Sequence, residues 1–414
     1  MQKKKRQVIL IDADIDSNEE ELQETAELIQ ACDMELCDLW YQRIKEIKHL
    51  SYIGSGKVDE FAKGLKHQNV DCVIFQQPLS SLQAGYLSEA WGLPVIDRSE
   101  LIIEIFEQRA HTQEAKLQVQ KAKMEKQRSR LIGKSKSLGR QGGGQNKGSG
   151  ETQLELNRRL LKQRIKECDR QIQALKKQNA LHYTRRLKQQ IPVAALVGYT
   201  NAGKSTILNA LLKQTNAAEH KQVYAQNQLF ATLDTAIRRI SMPYAPDVLI
   251  VDTVGFVSNL PHELIDAFHA TLDEIRHADL LLHIIDHHNP IRYAQQEATL
   301  HTLTTLQADT IPIIDVYNKC DLSDCPYPKA QNNAVYISAD DQESIGLIRE
   351  QIAEAIYGPK EAVTLCIPYT KNDVISTVLS LIQLQTKENH TSELILHGFL
   401  RKKLICDFMN YVKF

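Results

Sequence analysis

Short apolar runs and segments of helical spacing alternate along the first 110 residues of the chain. Runs of apolar residues predict buried strands at 8–11, 35–40, 71–75 and 93–96. Apolar residues spaced three or four apart predict helices at 19–32 and 58–66. Strands that alternate with helices are typical of a parallel sheet. We therefore predict an N-terminal parallel α/β domain over residues 1–110.

Helical spacing then dominates as far as residue 187. We predict one helix over 99–131, whose first turns pack on the N-terminal domain, and a second helix over 151–187. Two long helices joined by a loop form an antiparallel hairpin. We assign this hairpin to residues 111–189, with a loop at 139–150 that has six glycines in twelve residues.

Buried-strand patterns resume after the hairpin. Apolar runs predict strands at 193–197, 248–251, 280–285, 311–314 and 334–337, and we predict a doubly wound α/β domain over 190–358. The last segment, 359–414, carries a strand pattern at 363–368, a helical pattern at 372–385 and a strand pattern at 393–399. It is predicted to be a small C-terminal α+β domain.

The net charge of −1 hides a strong asymmetry. Residues 109–188 contain 22 Lys and Arg but only 6 Asp and Glu, whereas the rest of the chain is acidic. A basic segment in an acidic protein favours a polyanionic partner, and the alternative is a solvated helical surface. Bare glycine backbone with basic side chains can fit closely against RNA, although a plain flexible linker would have the same composition. The candidates for RNA contact are Arg140, Gln141, Gly142, Gly143, Gly144 and Lys147.

Composition narrows the class of protein. No apolar stretch approaches the roughly 20 residues that a membrane-spanning helix needs, and the N-terminal pattern is not that of a signal peptide. The eight cysteines include no C-x-x-C pair, so neither a zinc site nor a disulfide framework is indicated. His287 and His288 are adjacent, which favours a surface turn over a metal site. We expect a monomeric cytoplasmic protein without a membrane partner.

A phosphate-binding loop follows the strand at 193–197. Its sequence fits G-x-x-x-x-G-K-[ST] between a predicted strand and a predicted helix, and glycines there let successive N–H groups point at phosphates. Lys204 is expected to reach the β- and γ-phosphates, and Ser205 to ligate Mg²⁺. The predicted nucleotide contacts in this loop are Gly198, Tyr199, Thr200, Asn201, Ala202, Gly203, Lys204, Ser205 and Thr206.

Two further segments are placed to sense the γ-phosphate. A threonine at 232 can ligate Mg²⁺ while its N–H meets the phosphate, which makes a switch held only by the triphosphate. Asp252 ends a strand and is expected to hold Mg²⁺ through water, and the Gly255 N–H to meet the γ-phosphate. The predicted contacts of these segments are Phe230, Ala231, Thr232, Leu233 and Asp234, then Asp252, Thr253, Val254 and Gly255.

No catalytic residue can be assigned from this pattern. Phe256 stands where many GTPases carry the glutamine that orients the attacking water, and a phenyl ring cannot do this. Hydrolysis is therefore expected to need help from a partner or a cation. Asn201 is our candidate ligand for K⁺, and a loop-stabilising asparagine is the equal alternative.

The segment Asn-Lys-Cys-Asp at 318–321 predicts guanine specificity. The Asp321 carboxylate can accept two hydrogen bonds from guanine N1–H and the exocyclic amine, and adenine offers no such donor pair. The aliphatic stem of Lys319 can cover the base, and a backbone N–H can meet guanine O6. The predicted contacts are Asn318, Lys319, Asp321, Ser338 and Ala339. GTP or GDP with Mg²⁺ is therefore the expected ligand.

The whole arrangement resembles the HflX family of ribosome-associated GTPases. Motifs that carry the resemblance lie at 52–57, 95–98, 105–106, 109–110, 114–119, 140–144, 150–154, 198–205, 230–234 and 252–256. The resemblance implies an N-terminal α/β domain, a helical hairpin, a GTPase domain and a small C-terminal domain. It also implies binding to the large ribosomal subunit, with the Gly-rich loop near the peptidyl transferase region, and splitting of stalled or idle ribosomes.

The chain departs from the family pattern at two places that bear on function. The usual Gly-Thr-Arg-Gly-Pro-Gly is Gln-Asn-Lys-Gly-Ser-Gly at 145–150, and the usual Leu-Asp-Pro-Thr is Leu-Asp-Thr-Ala at 233–236. The second change leaves Thr235 as an alternative to Thr232. The first touches the RNA-contact loop and suggests a divergent paralogue. A ribosome-assembly GTPase that binds immature large subunits and an antibiotic-protection factor remain the alternatives to a splitting factor.

Overall fold

The computed structural model describes residues 5–14, 19–141, 147–188, 191–215, 236–257 and 275–413. These residues form two compact units. The first contains the described residues up to Leu181 together with Val257, and the second contains residues 182–188, 191–215, 236–256 and 275–413.

The first unit begins with a parallel sheet, as predicted. Its strands are β1 (Arg6–Asp12), β2 (Met34–Tyr41), β3 (Cys72–Phe75) and β4 (Val95–Asp97). Among the described residues they pair in the order β2-β1-β3-β4, and each pair is parallel. The helices are α1 (Glu19–Ala31), α2 (Ser55–Leu65), α3 (Ser81–Trp91) and α4 (Arg98–Arg109).

The predicted single helix over 99–131 is wrong, because the chain breaks it at residues 110–112. α4 ends at Arg109, Ala110 is extended with ψ 111°, and α5 spans Gln113–Gln141. The Thr112 hydroxyl accepts a hydrogen bond from the Ala115 N–H at 3.2 Å. A threonine in that position caps a new helix, so the chain changes direction where apolar spacing alone suggested continuity.

The two long helices form the predicted antiparallel hairpin. α6 spans Lys147–Lys188, and the buried side chains of the seam are Leu117, Met124, Ile165, Cys168 and Ile172. Lys121 pairs with Asp169 at 2.7 Å, and Arg158 Nη2 donates to the Leu131 carbonyl at 3.3 Å. Later residues of α5 therefore meet earlier residues of α6, which makes the pair antiparallel.

The predicted loop at 139–150 is too long. Residues 139–141 are helical in α5 and residues 147–150 are helical in α6, because glycine weakens a helix by about 1 kcal/mol without ending it. Arg140, Gln141 and Lys147 therefore lie on helix termini. Gly142, Gly143 and Gly144 lie outside the described residues.

The second unit is built on a larger, mixed sheet. Its strands are β5 (Val193–Gly198), β6 (Ala236–Met242), β7 (Ala245–Asp252), β8 (Leu280–Asp286), β9 (Ile313–Asn318), β10 (Lys329–Gln331) and β11 (Ala334–Tyr336). In the described part of the unit they pair in the order β10-β11-β9-β8-β5-β7-β6. The five inner strands are parallel, and β6 and β10 pair antiparallel at the edges. The helices are α7 (Lys204–Gln214), α8 (Arg292–Thr305) and α9 (Gln342–Tyr357).

The strand order collects polar residues at one edge. β5, β7, β8 and β9 are neighbours, and their carboxyl ends are Gly198, Asp252, Asp286 and Asn318. Carboxyl ends of parallel strands are the usual location of ligand sites in open α/β sheets.

The C-terminal segment adds an antiparallel sheet. β12 (Lys360–Pro368), β14 (Glu393–Arg401) and β13 (Gln383–Asn389) pair in that order, with α10 at Asn372–Leu381 and α11 at Lys402–Ile405. The predicted helix over 372–385 is too long, because Ile382 is extended and Gln383 begins β13 opposite Phe399. One continuous core joins this segment to the larger sheet through side chains that include Ile352, Ile356, Leu365 and Val378. The domain boundaries at 110, 189 and 358 remain predictions.

A buried ion pair joins α1 to α4, and its loss should weaken the first unit. Arg98 and Glu24 lie 2.6 Å apart with side chains only 6% and 10% exposed. Glu24→Gln removes the countercharge from a buried guanidinium and should lower the free energy of unfolding by about 3 kcal/mol. Both tryptophans of the chain, Trp40 and Trp91, lie in this unit, so their fluorescence during urea unfolding follows its transition.

The matched control is Glu104→Gln. Glu104 pairs with Arg6 in the same unit, but those side chains are 32% and 46% exposed, and exposed pairs contribute less than about 1 kcal/mol. Equal small shifts in the two variants would contradict the importance of the buried pair.

Candidate functional site

The loop between β5 and α7 has the backbone of a phosphate-binding loop. Gly198, Asn201 and Gly203 have φ of 141°, 62° and 100°. A Cβ at Gly198 would lie 2.2 Å from the Ile284 carbonyl oxygen, and a Cβ at Gly203 would lie 2.2 Å from Asn318 Nδ2. Both conformation and space therefore require glycine at 198 and 203.

Lys204 is folded into this loop. It is the first residue of α7 and is buried, and its Nζ donates to the Gly198 carbonyl at 2.9 Å and the Tyr199 carbonyl at 2.6 Å. Burial lowers the pKa of Lys204 to about 8, and the nearby Asp252 carboxylate partly offsets this. Bound phosphates would supply the negative charge that favours the ammonium form.

Ser205 and Asp252 supply the oxygen atoms that a magnesium ion prefers. The Ser205 hydroxyl donates to Asp252 Oδ2 at 2.7 Å, so the start of α7 is joined to the end of β7. A hydroxyl and a carboxylate beside the loop that holds the phosphates match the donors of Mg²⁺ sites in nucleotide-binding proteins. These two residues fit the ion, and Thr253 fixes the strand end by donating its hydroxyl to the Leu196 carbonyl at 2.6 Å.

The segment after β7 closes onto the phosphate loop through its backbone. The Thr200 N–H donates to the Phe256 carbonyl at 2.8 Å, and the Phe256 N–H donates to the Gly198 carbonyl at 3.1 Å. The Phe256 side chain is itself buried. A Cβ at Gly255 would lie 2.9 Å from Lys204 Nζ and 2.8 Å from Thr200 Cα, so glycine lets this segment approach the site. Phe256 therefore has a clear packing role and no means of orienting water.

Asn318 ties the two halves of the site together. Its Nδ2 donates to the Ala202 carbonyl at 3.0 Å, and its Oδ1 accepts from the Ala339 N–H at 3.1 Å. The phosphate loop, the end of β9 and the loop after β11 are thereby held in one arrangement. The buried Ser338 adjoins this bridge, with its N–H donating to Ser344 Oγ at 3.3 Å.

Lys319 and Asp321 lie on either side of Cys320 in the sequence. Lys319 has φ 63° and pairs with Asp286 at 2.8 Å, while Asp321 is exposed on a short 3₁₀ helix at Cys320–Leu322. An exposed carboxylate beside a bridged loop is accessible to a base. Asp286 was not predicted as a site residue, although its place at the end of a buried strand was a usable signal.

The structure brings together the predicted residues of three segments, at 198–206, 252–255 and 318–339. The predicted contacts Phe230, Ala231, Thr232, Leu233 and Asp234 lie outside the described residues. No described helix is apolar over a length that would cross a bilayer.

Family models match most of the chain. A model described as "GTP-binding GTPase N-terminal" matches residues 19–107, and one described as "GTP-binding GTPase Middle Region" matches residues 109–186. A model described as "50S ribosome-binding GTPase" matches residues 193–319. The last range includes the phosphate loop and the segment at 318–319.

Several curated proteins named GTPase HflX are similar along most of the chain. The protein from Caldanaerobacter subterraneus subsp. tengcongensis is 39% identical over 369 residues, which cover 89% of this chain and 84% of the relative. The Escherichia coli protein is 37% identical over 360 residues, covering 85% of this chain and 83% of the relative.

A solved structure also aligns at low identity. A GTP-binding protein from the archaeon Sulfolobus solfataricus in complex with GDP is 19% identical, with a TM-score of 0.44, and the alignment covers 85% of this chain and 98% of that one.

The lowered pKa of Lys204 predicts a pH dependence of nucleotide affinity. In the free protein the buried ammonium loses its proton near pH 8, whereas bound phosphates keep it charged. Below pH 8 both states are protonated, so affinity should not depend on this group. Above pH 8 binding must take up a proton, and affinity for GDP should fall by up to about tenfold per pH unit.

Titration calorimetry between pH 7 and 9, in buffers with different ionisation enthalpies, measures both the affinity and the proton uptake. Lys204→Arg is the matched control, because a guanidinium stays protonated over this range and the variant carries the same titration of the nucleotide itself. Identical pH slopes in the native protein and the variant would contradict the assignment.

Proposed function

This chain belongs to the HflX family of GTPases and hydrolyses GTP, and we propose that its GTP-bound form docks on the large ribosomal subunit and splits idle or stalled ribosomes. The observation that carries the proposal is a basic antiparallel hairpin in the same chain as a phosphate-sensing site. The hairpin supplies affinity for RNA, and the nucleotide site supplies a switch. A cytoplasmic location follows from this partner.

The hairpin has the charge distribution of an RNA-binding surface. Apolar side chains of α5 and α6 meet in the seam between the two helices, and basic side chains are exposed along the outer face of α6. Those exposed along α6 are Arg159, Lys162, Arg164, Lys166, Arg170 and Lys177. A line of cations neutralises phosphates and releases counterions, which gives strong, salt-dependent and sequence-independent affinity.

The tip of the hairpin is the part that we assign to rRNA near the peptidyl transferase region. Arg140, Gln141 and Lys147 lie at the helix ends that meet there. Arginine and lysine at helix ends can contact phosphates while neighbouring glycines permit close approach of backbone to bases. This contact gives the docked protein its orientation.

The GTPase site is built to respond to the γ-phosphate. Ser205 would ligate Mg²⁺ directly and Asp252 would hold it through water, and the Gly255 N–H would meet the γ-phosphate beside Lys204. We assign the second protein ligand of Mg²⁺ to Thr232, with Phe230, Ala231, Leu233 and Asp234 alongside. When Mg²⁺ is bound, it neutralises charge on the β- and γ-phosphates.

We assign guanine recognition to Asp321, with the stem of Lys319 over the base. The ion pair of Lys319 with Asp286 holds that stem in place. We assign the contact with guanine O6 to the backbone at Ser338 and Ala339, whose N–H groups now donate to Ser344 and Asn318 and would exchange a partner for the base oxygen.

A water-orienting group has to come from outside the site, because Phe256 cannot supply one. We propose that the ribosome provides it, so that hydrolysis follows docking. Splitting would then precede the loss of the γ-phosphate, and GDP would release the protein from the large subunit.

Asn201 is proposed to hold K⁺ near the phosphates. Asn201 has a left-handed backbone conformation within the phosphate loop, and its amide oxygen can replace a water molecule in the hydration shell of the ion.

GTP hydrolysis without ribosomes should be faster in KCl than in NaCl at equal ionic strength, because the smaller Na⁺ fits poorly in a site sized for K⁺. Asn201→Ala should remove the difference between the two salts, and equal rates for the native protein would count against the site.

Sedimentation of intact ribosomes tests the main proposal. Incubation with the protein and a non-hydrolysable GTP analogue should convert intact ribosomes into subunits, with the protein on the large subunit. ATP should not support splitting.

The Asp321→Asn variant should gain activity with the xanthosine nucleotide, because an amide can donate to the xanthine C2 carbonyl.

The control for the RNA contact is Arg140→Ala with Lys147→Ala. This double variant should lose ribosome-stimulated hydrolysis and keep its basal rate, because the changes lie outside the nucleotide site. If intact ribosomes persist while free large subunits bind the protein, the assembly role replaces the splitting role.

A further inference from the structure

Three side chains of types that ligate metals form a cluster that includes one residue of the segment at 318–321. Ligand atoms of His287, Cys320 and Cys325 all lie within 4.8 Å of one another among the described residues. Histidine nitrogen and cysteine sulfur are the preferred ligands of zinc. The two cysteines are separated by four intervening residues and the histidine is far away in the sequence, so spacing alone did not reveal the cluster.

Sheet order explains how the three residues meet. His287 follows the end of β8, and its N–H donates to the Asn318 carbonyl at the end of the neighbouring β9 with a length of 2.9 Å. The 3₁₀ helix Cys320–Leu322 then turns the chain so that Cys325 returns towards β8. The backbone therefore holds both loops without help from a ligand.

The histidine is already oriented. Its Nδ1 lies 3.0 Å from Ser323 Oγ, and its ring packs edge-on against Tyr317 and Tyr336, with centroids 6.0 Å away in each case. A histidine whose Nδ1 is held by a hydrogen bond can offer Nε2 to a metal, and such a bond fixes the tautomer. Burial lowers the pKa of His287, which favours the neutral ring that binds metals.

Cys320 and Cys325 lie in surroundings in which a bound metal ion could recruit their sulfur atoms as ligands. Cys320 is fully buried and its N–H donates to the Ile337 carbonyl at 3.1 Å. Burial, with the Cys325 thiol beside it, raises the pKa of Cys320 to about 12, so the Cys320 thiol is neutral when no cation is present. A bound divalent cation reverses this, because a coordinating thiol loses its proton outright.

We propose that His287, Cys320 and Cys325 bind one thiophilic divalent cation of the Zn²⁺ type, with water as the fourth ligand. Three protein ligands and a water complete a tetrahedral shell. The site is separate from the Mg²⁺ ligands, which are hard oxygen atoms.

The cation would stiffen the segment that reads the base. Cys320 lies between Lys319 and Asp321, so a metal bond at its sulfur limits the motion of both neighbours. Zn²⁺ and GDP should each raise the affinity of the other by the same factor, since coupling between two bound ligands is reciprocal. This second step rests on the proposed role of Asp321, whereas metal binding itself does not.

Metal binding is tested with the full-length, untagged and reduced protein after removal of metals by a chelator. In competition with a chromogenic zinc chelator, the native protein should hold one equivalent of Zn²⁺. Cys325→Ser and His287→Gln should weaken binding by at least about 100-fold, because even the outer-shell partners of a metal site are worth about 10- to 100-fold in affinity. Affinity should rise with pH, since the thiols must lose protons.

Matched controls are His288→Gln and Cys406→Ser, which change an adjacent exposed histidine and an exposed cysteine elsewhere. Both should bind like the native protein. Co²⁺ used in place of Zn²⁺ should give a thiolate charge-transfer absorption that weakens in Cys325→Ser. Equal Zn²⁺ binding in all five proteins, or none in the native protein, would overturn the site. Failure of ribosome splitting would leave this stoichiometry unchanged.

Discussion

The carboxamide of Asn318 is the contact on which the nucleotide site depends. Its oxygen accepts a hydrogen bond from the Ala339 N–H and its nitrogen donates to the Ala202 carbonyl, so the phosphate loop and the loops after β9 and β11 are held together. Gly203 has no side chain because this amide occupies the space. The described parts of the site that Asn318 joins are therefore preorganised before a nucleotide binds.

Close packing against the phosphate loop also limits what the site can do alone. The segment with Gly255 and Phe256 is joined to the phosphate loop by two backbone hydrogen bonds, and the phenyl ring is part of the packing. Within this described segment, neither the backbone nor the phenyl ring offers a group that activates water. Under the proposed function, a partner would complete the chemistry.

Much of the architecture could be predicted, because its signals are local. The four strands of the first sheet and the five inner strands of the seven-stranded sheet were predicted from apolar runs, whereas its edge strands β6 and β10 were missed. The phosphate loop was predicted from glycines that only a tight turn requires. The break at residues 110–112 was missed, because a single threonine cap interrupts an apolar spacing that continues on both sides. The end of the helix at Leu381 was also missed, since Gln383 pairs with Phe399, which is distant in the sequence. His287, Cys320 and Cys325 meet only because β8 and β9 are neighbours, and no spacing rule reports strand order.

The length of α6 has a consequence of its own. A helix of 42 residues extends about 63 Å, roughly twice the diameter of a small domain. Contacts at its far end are therefore remote from contacts at its near end within the same rigid element. The sequence at 145–150 departs from the family pattern, and residues 147–150 begin α6, far along the helix from Ile172. A change at that end of α6 therefore leaves the packing near Ile172 undisturbed.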